Sequence, residues 1–164
     1  MRGILLCSWI MIYILECFVR VDGATTSCPD DYLSFRGSCY HFGHTPYNFV
    51  ESEHYCQQLG GHLVHIDSAD ENDYIKGQLE FMKSHEWWIG LIRVDGHFMW
   101  RNDNSSVTFT DWDIGQPNGG PNECVAFYNP HQSYKWHDGP CDGGSSTYPI
   151  CETSPPDRPA PIGK

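Results

Sequence analysis

Positive charge is scarce in this 164-residue chain: 10 Lys plus Arg stand against 21 Asp plus Glu, a formal net charge of −11. Phosphate backbones and anionic bilayers are bound by basic faces, so neither nucleic acid nor a membrane is an expected partner. Long apolar runs are missing too. The run near the N-terminus, Ile4 to Leu15, has twelve residues and stops at Glu16; spanning a bilayer takes about 20. Enzyme signatures are equally absent. His85-Glu86 lacks the second histidine of a zinc-protease helix, and Gly143-Gly144-Ser145-Ser146 has no glycine at the spacing of a nucleophile elbow. His62 and His65, read as three apart on a strand, fall on opposite faces and form no metal pair. The chain is expected not to be an enzyme.

Cysteines and aromatics are what the chain does have. Arg2, the short apolar run and the small residues of Val21-Asp22-Gly23-Ala24 read as a signal peptide over 1–23, which implies a secreted, extracellular protein. Its removal takes Cys7 and Cys17, leaves the net charge at −11, and leaves Cys28, Cys39, Cys56, Cys124, Cys141 and Cys151. Six cysteines in an oxidising compartment read as three disulfides, with about 15 pairings open. Without an odd thiol, cysteine nucleophile chemistry has no support.

Residues 28–152 read as one domain without repeat or linker, followed by a tail over 153–164 with four prolines. Thr45-Pro46 supplies an N-cap and first-turn proline for a helix that Gly60-Gly61 ends, with Phe49, Ser52, Cys56 and Leu59 on one face. A second helix starts at Ser68 with Glu71 completing a capping box, and its buried face is Tyr74, Ile75, Leu79 and Met82. Strands are expected over Trp87–Ile92, Phe98–Trp100, Cys124–Tyr128, Tyr134–Trp136 and Pro149–Glu152. Trp88, Trp100 and Trp112 read as core. The Gly/Pro/Asn-rich stretch from Asp111 to Asn122 has no regular pattern, and long loops of that kind carry function.

Several segments together resemble a known family, the C-type lectin domain in its long form. They are Cys28-Pro29 with Ser38-Cys39-Tyr40, Cys56 with Leu59-Gly60-Gly61-His62-Leu63-Val64-His65-Ile66, and Trp88-Ile89-Gly90-Leu91. Phe98-Met99-Trp100, Phe109-Thr110-Asp111-Trp112, Gly115-Gln116-Pro117-Asn118, Trp136-His137-Asp138 and Ile150-Cys151-Glu152 follow in the family's order. The resemblance implies an α+β fold of two helices, small antiparallel sheets and a long loop region. It also implies the pairings Cys28 with Cys39, Cys56 with Cys151, and Cys124 with Cys141.

The family's sugar binders hold calcium among the long loops and bridge it to two sugar hydroxyls. Glu-Pro-Asn there goes with mannose and Gln-Pro-Asp with galactose, and the proline commonly follows a cis peptide. By resemblance the carbohydrate site here is Gln116, Asn118, Glu123, His137 and Asp138, with calcium on Gln116, Asn118, Glu123 and Asp138. Gln116-Pro117-Asn118 is neither family pairing. His137 stands where the family has asparagine, and Glu123 comes one residue late, after Asn122. Fewer carboxylates mean weaker calcium binding. Tyr128, His131 and Tyr134 are candidates to stack on a sugar face. Asn104-Ser105-Ser106 is a glycosylation sequon. The expected partners are glycans or glycoproteins. The alternative is a perlucin-like matrix protein acting on shell mineral or matrix components, to which an acidic single domain is also suited.

Overall fold

The computed structural model describes residues 28–82, 86–121, 123–129, 133–143 and 146–156. Residues 1–23, read as a signal peptide, and the tail beyond 156 lie outside the described residues, as do His85, Asn122, His131 and Gly144-Ser145. In chain order the elements are β1 (Leu33–Phe35), β2 (Ser38–Phe42), α1 (Phe49–Gln58), β3 (His62–Leu63) and α2 (Ala69–Met82). They continue as β4 (Glu86–Val94), β5 (His97–Trp100), β6 (Glu123–Tyr128), β7 (Lys135–Gly139) and β8 (Thr147–Thr153). The expected α+β architecture is present.

The strands run β1-β2-β8-β4-β6-β7, with β3 on β8 and β5 on β4. β8 links β2 to β4. Thr147 to Pro149 pair in parallel with β4, while Ile150 to Thr153 pair antiparallel with β2. Gly90 in β4 is required by close approach, because a Cβ there would sit 2.7 Å from the carbonyl oxygen of Leu63. Its N–H instead donates to Val64 O at 2.8 Å. The Trp-Ile-Gly-Leu pattern is therefore a packing statement: large side chains beside one position where backbone meets backbone.

α1 begins later than Thr45-Pro46 suggested. Asn48 is the N-cap, its Oδ1 accepting from the Glu51 N–H at 2.9 Å while its own N–H donates to Glu51 Oε2 at 3.2 Å. The reason is tertiary. Tyr47 is held extended, its N–H donating to Thr147 O at 3.0 Å and its carbonyl accepting from Trp88 Nε1 at 3.0 Å. A reciprocal box satisfies two free N–H groups at once, which a proline cannot do. Phe49, Ser52 and Cys56 are buried as expected, but Leu59 is the half-exposed C-cap. In α2, Ser68 Oγ accepts from the Glu71 N–H, but Glu71 reaches back to the Asp67 N–H and to the Tyr40 hydroxyl.

The core is aromatic. Trp87, Trp100, Trp136, Tyr40, Tyr134 and Phe127 are its largest fully buried side chains, and Trp88 is buried with Phe49 on the α1 side. Trp112 is only partly buried, packed edge-on to Trp136. The disulfides are Cys28–Cys39, Cys56–Cys151 and Cys124–Cys141. Cys56–Cys151 spans a sequence separation of 95. In the chain-entropy view such a closure contributes about 4–5 kcal/mol.

Candidate functional site

Among the described residues, the connection from β5 to β6 is the longest irregular stretch, and Asp111 anchors it. Its carboxylate accepts from Asn72 Nδ2 at 2.8 Å and Lys76 Nζ at 3.1 Å on α2, and from Lys135 on β7. Burial pushes the Asp111 carboxyl up, but the hydrogen bonds from Lys135, Asn72 and Lys76 outweigh that and leave it below the usual range. Asn72 is itself buried, and its Oδ1 accepts from Trp136 Nε1 at 3.0 Å. A polar side chain on the inner face of a helix thus ties helix, loop and sheet together.

Beyond Trp112 the chain turns out to solvent, with Ile114 fully exposed. The Gln116 N–H donates to Asp113 O at 3.0 Å, and the Gln116–Pro117 peptide is cis. Pro117 and Asn118 are exposed. The following backbone is then drawn inward. The N–H groups of Asn118 and Gly119 donate to Asp138 Oδ1 and Oδ2 at 2.8 and 3.1 Å, and the Gly120 N–H donates to Glu123 Oε1 at 2.8 Å. Gly119 leaves no space for a side chain: a Cβ would lie 2.8 Å from Glu123 Cγ and 3.0 Å from Asp138 Oδ2. Two carboxylates converge on one loop.

A cation joins them that sequence reasoning passed over. Arg93 in β4 sits in register with Glu123 of β6. Its Nη1 donates to Gly119 O at 3.1 Å and Gly120 O at 3.0 Å, and lies 3.8 Å from Asp138 Oδ2. A charged residue two places after Trp-Ile-Gly-Leu was the available signal.

Asn118, Glu123 and Asp138 are therefore brought together, and Gln116 precedes them in the same loop. His137 is not on their face. Strand alternation puts Trp136 and Asp138 on one side of β7 and His137 on the other, its ring 4.8 Å from that of Tyr128. Burial lowers the His137 pKa, against the opposing fields of Glu86, Asp138 and Asp113. Tyr134 is unsuited to stacking on a ligand: it is 1% exposed, with its hydroxyl donating to Leu79 O at 3.1 Å. Its φ of 37° excludes it from the strand expected there. His62 and His65, expected on opposite faces, line one polar cleft with Glu71 and Glu152, because β3 ends at Leu63 and the alternation ends with it.

Among the described residues, Gln116 Oε1, Glu123 Oε2 and His137 Nε2 are buried without a hydrogen-bond partner. Calcium takes about six to eight oxygen ligands. In this loop both Asp138 oxygens and one Glu123 oxygen already accept backbone N–H groups. The carbonyls of Gly119 and Gly120 accept from a guanidinium. Two carboxylates offset by one arginine, with few uncommitted oxygens, do not fit a resident calcium ion. Among the described residues no group of three or more His, Cys, Asp or Glu is placed to hold a metal, and no helix is long and apolar enough to cross a membrane.

The family model described as Lectin C-type domain matches residues 45–153. Perlucin-like protein of Mytilus galloprovincialis is 30% identical over 132 residues, covering 78% of this chain and 84% of its own length. Perlucin of Haliotis laevigata is 30% identical over 130 residues, covering 76% and 82%. The mouse low affinity immunoglobulin epsilon Fc receptor is also 30% identical, but this chain spans only 40% of its length. Among solved structures, the cow C-type carbohydrate-recognition domain of CD23, determined with a GlcNAc2Man3 oligosaccharide, aligns with TM-score 0.68 and 30% identity over 78% of this chain and 96% of its own. Human lithostathine aligns with TM-score 0.73 and 26% identity over 82% and 96%.

Proposed function

The chain belongs to the C-type lectin domain family, and from that premise we propose that it is a secreted, non-enzymatic lectin that binds glycans or glycoproteins through the loop at Gln116–Gly120. One observation carries this reading: Gln116 Oε1 and Glu123 Oε2 are buried acceptors without donors, next to the exposed Pro117-Asn118 tip. An unsatisfied buried acceptor costs about 1–3 kcal/mol, which a donating hydroxyl recovers. Asn118, whose backbone is pinned to Asp138, supplies an amide that donates and accepts at the rim. Asp138 holds the loop and Glu123 faces the ligand, while His137 lies on the other face of β7 and takes no part in this site. The family is typically calcium-dependent; here the binding we propose does not depend on a resident calcium ion at Gln116, Asn118, Glu123 and Asp138, because Arg93 offsets their charge and most of the loop's oxygens are already committed.

Binding is correspondingly modest and neither mannose-type nor galactose-type. A glycan array run with calcium and with chelator tests this. Binding to neutral glycans that survives chelator supports it, and no glycan binding under either condition ends it. The second reading, an acidic matrix protein acting on mineral, is favoured by the likeness to two molluscan perlucin-group proteins together with the net charge of −11. Adsorption to calcium carbonate crystals by a protein that ignores the array would put that reading first.

A further inference from the structure

We propose that Arg93 is a resident cation that does the work of a metal ion in holding the 116–120 loop, so that the loop is built, and stays built, without calcium. The loop backbone is gripped from both sides. Its N–H groups at Asn118, Gly119 and Gly120 face the Asp138 and Glu123 carboxylates, and its carbonyls at Gly119 and Gly120 face the Arg93 guanidinium. A divalent ion in such a loop would have two tasks, to neutralise converging carboxylates and to attract carbonyl oxygens. Arg93 performs both.

Its placement is constrained. β4 delivers it opposite Glu123 in the strand register, and its Cζ lies 5.3 Å from the Phe98 ring centroid, a cation–π contact that also restrains the guanidinium. The Asp138 side chain is wholly inaccessible and that of Arg93 is 24% exposed, so the pair is shielded from solvent screening. A calcium ion entering here would be repelled by a guanidinium that cannot deprotonate. Arg93 is thus a positioning residue for the binding loop. The inference rests on the site assignment made above, but its test uses no sugar, so it stands or fails separately from glycan binding.

The experiment compares the disulfide-bonded wild-type chain with Arg93→Gln and Arg93→Lys, each in millimolar calcium and in chelator. It records thermal unfolding and amide hydrogen exchange at residues 118–120. Wild type should unfold at the same temperature in both conditions to within about 1 °C, with those amides protected in chelator. Arg93→Gln removes the repelling charge. It should lose about tenfold in loop protection in chelator, and calcium should restore it while raising the unfolding temperature by about 3 °C. A purely structural loss would not create a response to calcium. Arg93→Lys keeps the charge without the two-carbonyl fork, and should lose protection yet remain indifferent to calcium. A calcium-induced rise of several degrees in wild type, or in Arg93→Lys should Arg93→Gln fail to fold, overturns the proposal. So does unchanged loop protection in Arg93→Gln.

Discussion

Replacing Asp138 by asparagine keeps its shape but removes its charge and turns one acceptor oxygen into a donor, which makes it the sharpest probe of the loop. In the native protein both oxygens accept, Oδ1 from the Asn118 N–H at 2.8 Å and Oδ2 from the Gly119 N–H at 3.1 Å. An amide can accept on one side only. Its NH2 must then face either the Asn118 N–H, or the Gly119 N–H together with Arg93, whose Nη1 is 3.8 Å from Oδ2. Losing one hydrogen bond to a charged acceptor costs about 1.5–3 kcal/mol. Leaving Arg93 without its buried counter-charge adds about 1–2 kcal/mol at an intermediate effective dielectric. The expected destabilisation is about 2.5–5 kcal/mol, a fall of roughly 8–15 °C in unfolding temperature. Denaturant unfolding of wild type, Asp138→Asn, Arg93→Gln and the double variant reads both terms, because the double-mutant cycle isolates the coupling. A loss under about 1 kcal/mol for Asp138→Asn, or strict additivity in the double variant, would refute the reasoning.

Three further outcomes are expected. Gln116→Glu adds a carboxylate at the loop tip, so calorimetry should show tighter calcium binding and a shift toward mannose; tight calcium-dependent mannose binding by the unmodified chain would sink this reading of the loop. Asn104 is exposed at a positive φ of 59°, in a turn where the Ser105 N–H donates to Asp103. Asn104→Gln should lower the apparent mass, on a gel, of the protein expressed through a secretory pathway, and equal mobility with and without glycosidase excludes a glycan there. Burial holds His137 below its ordinary value of 6.5, so the unfolded chain takes up that proton more readily. The stability involved is complete above about pH 6.5 and is lost as pH falls through the lower native value. His41 is shifted the same way, mainly by burial. The readout is therefore the difference between wild type and His137→Asn, which should narrow the fall in unfolding free energy from pH 7 to 5; parallel curves would exclude His137 as a contributor.

Local signals were legible because local physics writes them. Ser68 with Glu71, the apolar faces of both helices and the β-branched and aromatic runs each depend on neighbours within a few residues. The six cysteines and the Trp-Ile-Gly-Leu and Gln-Pro-Asn segments, taken in order, carried the family and with it the pairing that the structure contains. The misses share a different origin. The start of α1 moved from Thr45 to Asn48 because Tyr47 is tethered to Thr147 and Trp88. Tyr134 became core because the chain turns inward at a positive φ just before β7.

By itself, then, the sequence determined both helices to within about a turn, five of the eight strands among the described residues, the disulfide framework by likeness, and the stretch in which the proposed binding loop lies. Tertiary structure alone decided how that loop is held. Arg93 and Asp138 lie 45 residues apart, and Asn72 reaches Asp111 across 39. His137 and Asp138 are adjacent in the chain yet point to opposite faces. Periodicity and capping act over a few residues, whereas a hydrogen bond or ion pair acts only where the fold brings donor and acceptor within about 3–4 Å. The residues that set the charge of the site were visible from the start; their meeting was not.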